Sequence, residues 1–342
     1  MRLYERLMEE PGGVLDKCML GGITPFCKEL AKAQCFQLSE EIAVACSEVV
    51  QSRPSTLLSA IDMVRAPYQH TWVEYTPNQR TNIRDNHNLF PGKPKPTPKR
   101  VGALLMTNKQ CTRGTMILAW WHNNDDVQVN PLGLIFDWDS SESEPVLKQY
   151  LSRMSYGDPK WIDSVVEGRR KAASTRMPDR WQSFIKDDKE WEANIALTMR
   201  GDVIPLEMFM PFIATYKLKP GAEWYDSFED DLAGELPFVE AFLLLLNSKN
   251  SIITQVKDDF SKLNRARAKN KKPPLKEFIN TRLRISKVVA NRAKAAGMSH
   301  EAARLHLVRG HFKVRRSGVY WWSPHSRGRD SVLLRREYKV NK

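Results

Sequence analysis

Between Thr71 and Trp138 the hydrophobic pattern takes a strand-like period, while the segments on either side keep a helical one. That switch constrains the fold most, because a segment patterned for one period cannot bury its apolar side in the other. Thr71–Tyr75, Val101–Met106, Met116–Trp121 and Leu132–Trp138 are rich in β-branched and aromatic residues and are bounded by turn formers, so each predicts a strand. NLFPGKPKPTPKR, Pro/Lys-rich, predicts an extended exposed loop, and HNNDDVQVNP a polar hairpin loop. Upstream, Phe26, Leu30 and Ala33, then Leu38, Ile42, Ala45 and Val49, recur at helical spacing and predict one amphipathic helix over Phe26–Val50. A second helix is expected after Ser52–Pro54, with Leu57, Leu58, Ile61 and Val64 inward and Pro67 as its stop.

Downstream of Pro145 the pattern is mainly helical. Trp161, Val165 and Val166 mark one helix, Trp181, Phe184 and Ile185 another, and Phe238, Phe242, Leu245 and Leu246 a third. Leu236–Leu246 is the most apolar stretch, but it contains Glu240 and is far shorter than the ~20 residues of a membrane span, so it predicts a buried helix. KLNRARAKNKKPPLKEF ends the helical region at Pro273–Pro274 and leads into an extended stretch, Phe278–Ile285. The expectation is an α+β chain with helical N-terminal and middle parts, a small central antiparallel sheet and a basic C-terminal β-hairpin module. Its expected units are residues 1–66, 67–144, 145–260 and 261–342.

Charge supports the last boundary. From Ser261 onward there are 23 Lys and Arg against 4 Asp and Glu, a net +19; the preceding residues hold 30 against 36, a net −6. Such asymmetry points to a polyanion partner, DNA or RNA. A basic segment docked on the chain's own acidic body has the same composition. The beginning, MRLYERLMEEPGG, is charged and has no apolar run, which predicts a soluble cytoplasmic protein with no membrane partner. Cys18, Cys27, Cys35, Cys46 and Cys111 form no C-x-x-C pair and fit free thiols rather than a disulfide framework or zinc cage.

RLHLVRGHFKVRRSGVYWWSPHSRGR, Arg304–Arg329, carries the most chemistry. With Ser317–Gly318 as a two-residue loop, Arg316 would face Val319, Arg315 Tyr320, Val314 Trp321 and Lys313 Trp322. Strand alternation then gives one face of Phe312, Val314, Val319 and Trp321, and another of His311, Lys313, Arg315, Tyr320 and Trp322. The first is a core face. The second mixes cations with flat rings, as phosphate contact and base stacking require. The alternative is a second buried face with its cations reaching outward. The expected nucleic-acid contacts are Lys313, Arg315, Arg316, Tyr320, Trp322, Arg327 and Arg329.

His300, His306, His311 and His325 are four of the seven histidines. His306, His311 and His325 with Arg309 could supply general acid–base cleavage of a phosphodiester, a nuclease alternative that no fixed spacing demands. In DWDSSESE, Asp137 and Asp139, with Glu142 and Glu144 behind them, are the candidates for a metal; His122 and Asp125–Asp126 would join only if their loop folds back. A solvated acidic loop has the same composition. No G-x-x-x-x-G-K-[ST], G-x-G-x-x-G or G-x-S-x-G motif is present, so nothing calls for a cofactor.

The run LNRARAKNKKPPLKEF … RLHLVRGHFKVRRSGVYWWSPHSRG resembles a group of proteins encoded by tailed bacteriophages and prophages that end in R-G-H-F-[KR] … G-x-[FY]-W-W-x-P-H-x-R-G. HTWVEY and KRVGALL are similar to their middle region. The likeness covers roughly the last third and parts of the centre. It implies a phage or mobile-element origin and a bacterial cytoplasm, and it implies no activity. An accessory protein that binds nucleic acid is the leading expectation; an interaction protein that blocks a host factor is the third reading.

Overall fold

The computed structural model describes residues 2–9, 17–77, 98–122, 126–139, 187–198, 201–219, 222–250, 253–271, 274–283, 306–308, 310–322 and 325–327. The helices are α1 (Leu3–Glu9), α2 (Lys17–Lys32), α3 (Glu40–Ser52), α4 (Pro54–Leu58), α5 (Asp188–Thr198), α6 (Met210–Thr215), α7 (Glu223–Asn247) and α8 (Ser261–Lys269). The strands are β1 (Gln34–Leu38), β2 (His70–Tyr75), β3 (Arg100–Thr107), β4 (Arg113–Trp121), β5 (Val127–Val129), β6 (Leu132–Asp137), β7 (Asp202–Pro205), β8 (Ile253–Lys257), β9 (Phe278–Leu283), β10 (His306–Val308), β11 (His311–Arg315), β12 (Gly318–Trp322) and β13 (His325–Arg327). The chain is α+β. The helices expected from Trp161, Val165 and Val166 and from Trp181, Phe184 and Ile185, and most of the Pro/Lys-rich segment, fall outside the described residues.

The four expected strands are β2, β3, β4 and β6, consecutive neighbours in the sheet through antiparallel pairs. The sheet itself is neither small nor wholly antiparallel. It has nine strands in the order β7-β6-β4-β3-β2-β1-β9-β8, with β5 paired to β4. β1 runs parallel to both β2 and β9. The helix expected over Phe26–Val50 is therefore two helices with β1 between them. Cys35 and Phe36 are buried on opposite faces of β1, so this strand has no polar side to betray it. Ser39 then stands extended at the start of α3, with Glu40 and Glu41 in its first turn, where acidic residues complement the helix dipole.

Two layers cover the sheet. On one face α7 lays Phe238 against Tyr75 (4.5 Å between ring centroids) and Phe242 against Phe36 (6.1 Å). The Tyr75 hydroxyl donates to Glu235, and Trp138 Nε1 donates to Glu240 at 2.9 Å, so two buried carboxylates pin this helix to β2 and to the end of β6. The expected buried helix over Leu236–Leu246 is the C-terminal half of α7. No helix among the described residues is long and apolar enough to cross a membrane.

On the other face the Glu74 carboxylate accepts the backbone N–H groups of Leu3 and Tyr4, Trp72 Nε1 and Arg100, which fastens the start of α1 over β2. The Trp72 indole lies across β3 at Gly102, where any Cβ would sit 2.0 Å from the ring; only glycine allows that packing.

β9 inserts between β1 and β8, and the charge break at Ser261 falls between the paired strands β8 and β9. The C-terminal unit expected from Ser261 is thus partly built into the central sheet. A chain ending at residue 260 loses β9, which leaves β8 with no partner strand and exposes one edge of β1. We expect it to be insoluble or to lack near-UV dichroism; a soluble product with cooperative melting would show that β9 is dispensable.

Burial under α1 and the sheet pushes the Cys35 thiol up to about 12 and, beside Leu7, the Cys27 thiol to about 11, from an ordinary 9.0. Raised values favour the neutral thiol in the folded state. The contribution is fully present below the unfolded value and is lost as pH climbs from about 9 toward the folded values. Urea melts at neutral pH and near pH 10 should show Cys35→Ala losing less stability over that interval than the parent chain. Equal losses would mean that Cys35 does not drive the alkaline limb.

Candidate nucleic-acid interface

β11 and β12 form the expected hairpin, with a different loop. His311 faces Trp322, Phe312 Trp321, Lys313 Tyr320, Val314 Val319 and Arg315 Gly318, so the two loop residues are Arg316 and Ser317. The reason is conformational: Gly318 adopts φ +125°, a region L side chains rarely occupy, and opens the second strand rather than ending the turn. The register moves by two residues against the expectation. A two-residue shift preserves which side chains share a face.

Those faces separate as alternation requires. Phe312, Val319 and Trp321 are each 3% exposed and join the core, with Trp321 against Phe312 at 5.0 Å. Val314, on the same face, lies nearer the loop and emerges. On the outer face Trp322 is 40% exposed, Lys313 and Arg315 are exposed, and His311 and Tyr320 are half-buried. Lys313 Nζ stands 5.0 Å from the Trp322 ring centroid, and the Arg315 guanidinium 5.5 Å from that of Tyr320. The Tyr320 hydroxyl is 2.8 Å from Ser317 Oγ. No acidic residue occurs between Arg304 and Arg329. None of the ion pairs given by the described residues involves Lys313, Arg315 or Arg316.

The hairpin is clamped to the body by residues that sequence reasoning missed. Asn250 Nδ2 donates to the Trp321 carbonyl (2.8 Å), and the Trp321 N–H donates to Asn250 Oδ1 (2.6 Å). The Lys249 N–H donates to the Val319 carbonyl at 3.1 Å. Asn250 sits in a polar turn after α7, and such a turn carries no local signal that its side chain will cap a strand about 70 residues onward.

The remaining candidates are dispersed. β10 pairs with β13 as a separate two-stranded ladder, His306 opposite Arg327 and Val308 opposite His325. His311 belongs to the other ladder, its ring 5.8 Å from that of Trp322. The side chains of His306, His325 and Arg327, and all of Arg309 and Arg329, lie outside what is described. Asp137 pairs with Arg113 at 3.3 Å and Asp139 with Arg65 at 3.6 Å, so each metal candidate faces an arginine. Glu142 and Glu144 lie outside the described residues. Among the described residues no three His, Cys, Asp or Glu gather as a metal site would need. Comparison with protein-family profiles, with curated proteins and with solved structures gave no match.

Asn250→Ala removes both partners of the Trp321 peptide. Leaving such groups unpaired costs about 1–3 kcal/mol. The expected result is a lower melting temperature together with faster tryptic cleavage at Arg315–Arg316. Unchanged cleavage would mean that packing of Phe312 and Trp321 alone holds the hairpin.

Proposed function

We propose that the outer face of β11–β12 binds nucleic acid without strong sequence preference, making the chain a nucleic-acid-binding accessory protein of the phage type that its C-terminal pattern resembles. The observation that carries this reading is the contrast between two adjacent tryptophans. Trp321 is buried, while Trp322 is 40% exposed beside Lys313 on a face with no acidic residue. Indole left in water has a cost that packing does not explain here, and a ring flanked by cations suits a base whose phosphates need neutralising. Trp322 and Tyr320 would stack bases, and Lys313, Arg315 and Arg316 would hold phosphates; Arg327 and Arg329 belong to the same reading. Unpaired bases fit better than duplex, because stacking needs an exposed π-face.

Fluorescence anisotropy across a salt series tests the reading. About five phosphate contacts on a single strand would give a log–log slope of roughly −3 to −4. Trp322→Ala should cost about 1–3 kcal/mol of affinity with little change in melting, whereas Trp321→Ala should cost about 3–5 kcal/mol of stability. Absence of binding at low salt, or a Trp322→Ala variant that binds as the parent does, would sink the proposal.

A further inference from the structure

α8 contributes no side chain to any core. A nine-residue helix without tertiary packing is marginal in water, since most helical stability comes from burying an apolar face. Local bonds hold it instead. Asn264 Nδ2 donates to the Leu275 carbonyl (3.0 Å), the Leu275 N–H donates to Asn264 Oδ1 (2.7 Å), and Asp259 Oδ1 accepts the Ser261 N–H (3.0 Å). A helix kept folded but left in solvent presents its surface to something else. Lys262, Arg265 and Lys269 are all exposed and recur at i, i+3 and i+7, a single stripe about 10 Å long. The carboxylates around it are already engaged: Asp258 with Arg2 at 2.8 Å and with Asn280, Asp259 with Ser261, and Glu277 with Lys257 at 2.8 Å.

This stripe differs in kind from the hairpin. It offers cations and no ring, so it can hold phosphates but cannot stack a base. β8 fixes its distance from the hairpin. The hairpin is clamped at Asn250, just before β8, and α8 begins at Ser261, just after it. The five residues of β8 alone separate the two by about 15 Å along the sheet edge.

We propose that α8 is a second contact, on the phosphate backbone of a duplex segment, and that the ligand is a junction whose single-stranded arm lies on the hairpin. The inference rests on the hairpin reading. A tailed duplex then engages both elements at once, which raises affinity above that of either arm alone. Affinities and salt slopes are to be measured for a single strand, a blunt duplex and a duplex with a single-stranded tail. The parent chain should bind the tailed duplex most tightly. Lys262→Ala/Arg265→Ala/Lys269→Ala should abolish the preference for the tailed duplex over the single strand and lower its slope by about 2 to 3. That variant should keep the parent's melting temperature and single-strand affinity, and Lys262→Arg/Lys269→Arg should bind as the parent does. If the parent gains nothing from the duplex arm while Trp322→Ala still weakens single-strand binding, this inference fails and the hairpin reading stands. If the parent binds no nucleic acid, both fail. If the triple variant keeps preference and slope, α8 is not the duplex contact.

Discussion

The structure depends on β1, a five-residue strand with a parallel neighbour on each side. Parallel strands cannot be joined by a tight turn, so the chain must leave the sheet and return. From β1 it returns through α3 and α4 to β2, which places a helical layer on the α7 side. On β1's other edge the partner is β9, about 240 residues later in the chain. Cys35 stands opposite Phe278, the Ser39 N–H donates to the Thr281 carbonyl, and Thr281 Oγ1 donates to the Gln37 carbonyl at 3.0 Å. β1 is therefore paired on both edges only when residues near 280 have arrived, and pairings of such sequence separation fold slowly. The basic C-terminal region inherits its position from this pairing, because α8 and the hairpin are attached at the two ends of β8, the strand next to β9.

Buried carboxylates then set how the layers sit on the sheet. Glu235 and Glu240 on α7 receive donors from β2 and from the end of β6, strands three positions apart in the sheet order. Two polar pins fix both the sliding and the rotation of a helix that apolar packing alone would hold less uniquely. Glu74 does the same for α1. Glu190 on α5 accepts the Ser55 N–H (3.0 Å) and its hydroxyl (2.7 Å), which caps the first turn of α4. That cap matters for the hairpin, since α4 packs against β11. A chain of contacts thus runs from α5 through α4 to the strand that carries Lys313.

What could be read from the sequence follows from which signals are local. β2, β3, β4 and β6 were legible because their β-branched and aromatic runs stand out against turn formers. β1 was not: QCFQL is short, buried on both faces, and lies between helices whose apolar periods run on across it. β9 was legible as extended, but its place beside β1 was not, because no local pattern encodes a pairing of that separation. The two faces of the hairpin survived an error in the loop for a geometric reason: alternation has period two, and the register moved by two. Asn250, which decides how the hairpin is mounted, gave no signal.

That mounting bears on how the outer face could work. With Val319 and Trp321 bonded at the backbone to Lys249 and Asn250, the ribbon cannot roll about its long axis, and Lys313, Arg315 and Trp322 are held toward solvent before any ligand arrives. A preformed surface loses less conformational freedom on binding than a segment that must order itself. Lys313 and Arg315 rest near the rings of Trp322 and Tyr320, and such cation–π contacts are worth about 0.5–1 kcal/mol at exposed sites. A charge-assisted bond to phosphate is stronger, roughly 1.5–3 kcal/mol. On the proposed reading the backbone of the ligand therefore draws each cation away from its ring, and the ring face so cleared is the one on which a base can stack. Phosphate capture and base stacking are then coupled steps. Replacing Lys313 by an uncharged residue of similar length would leave the Trp322 face open from the start, trading electrostatic affinity for a ring that needs no clearing.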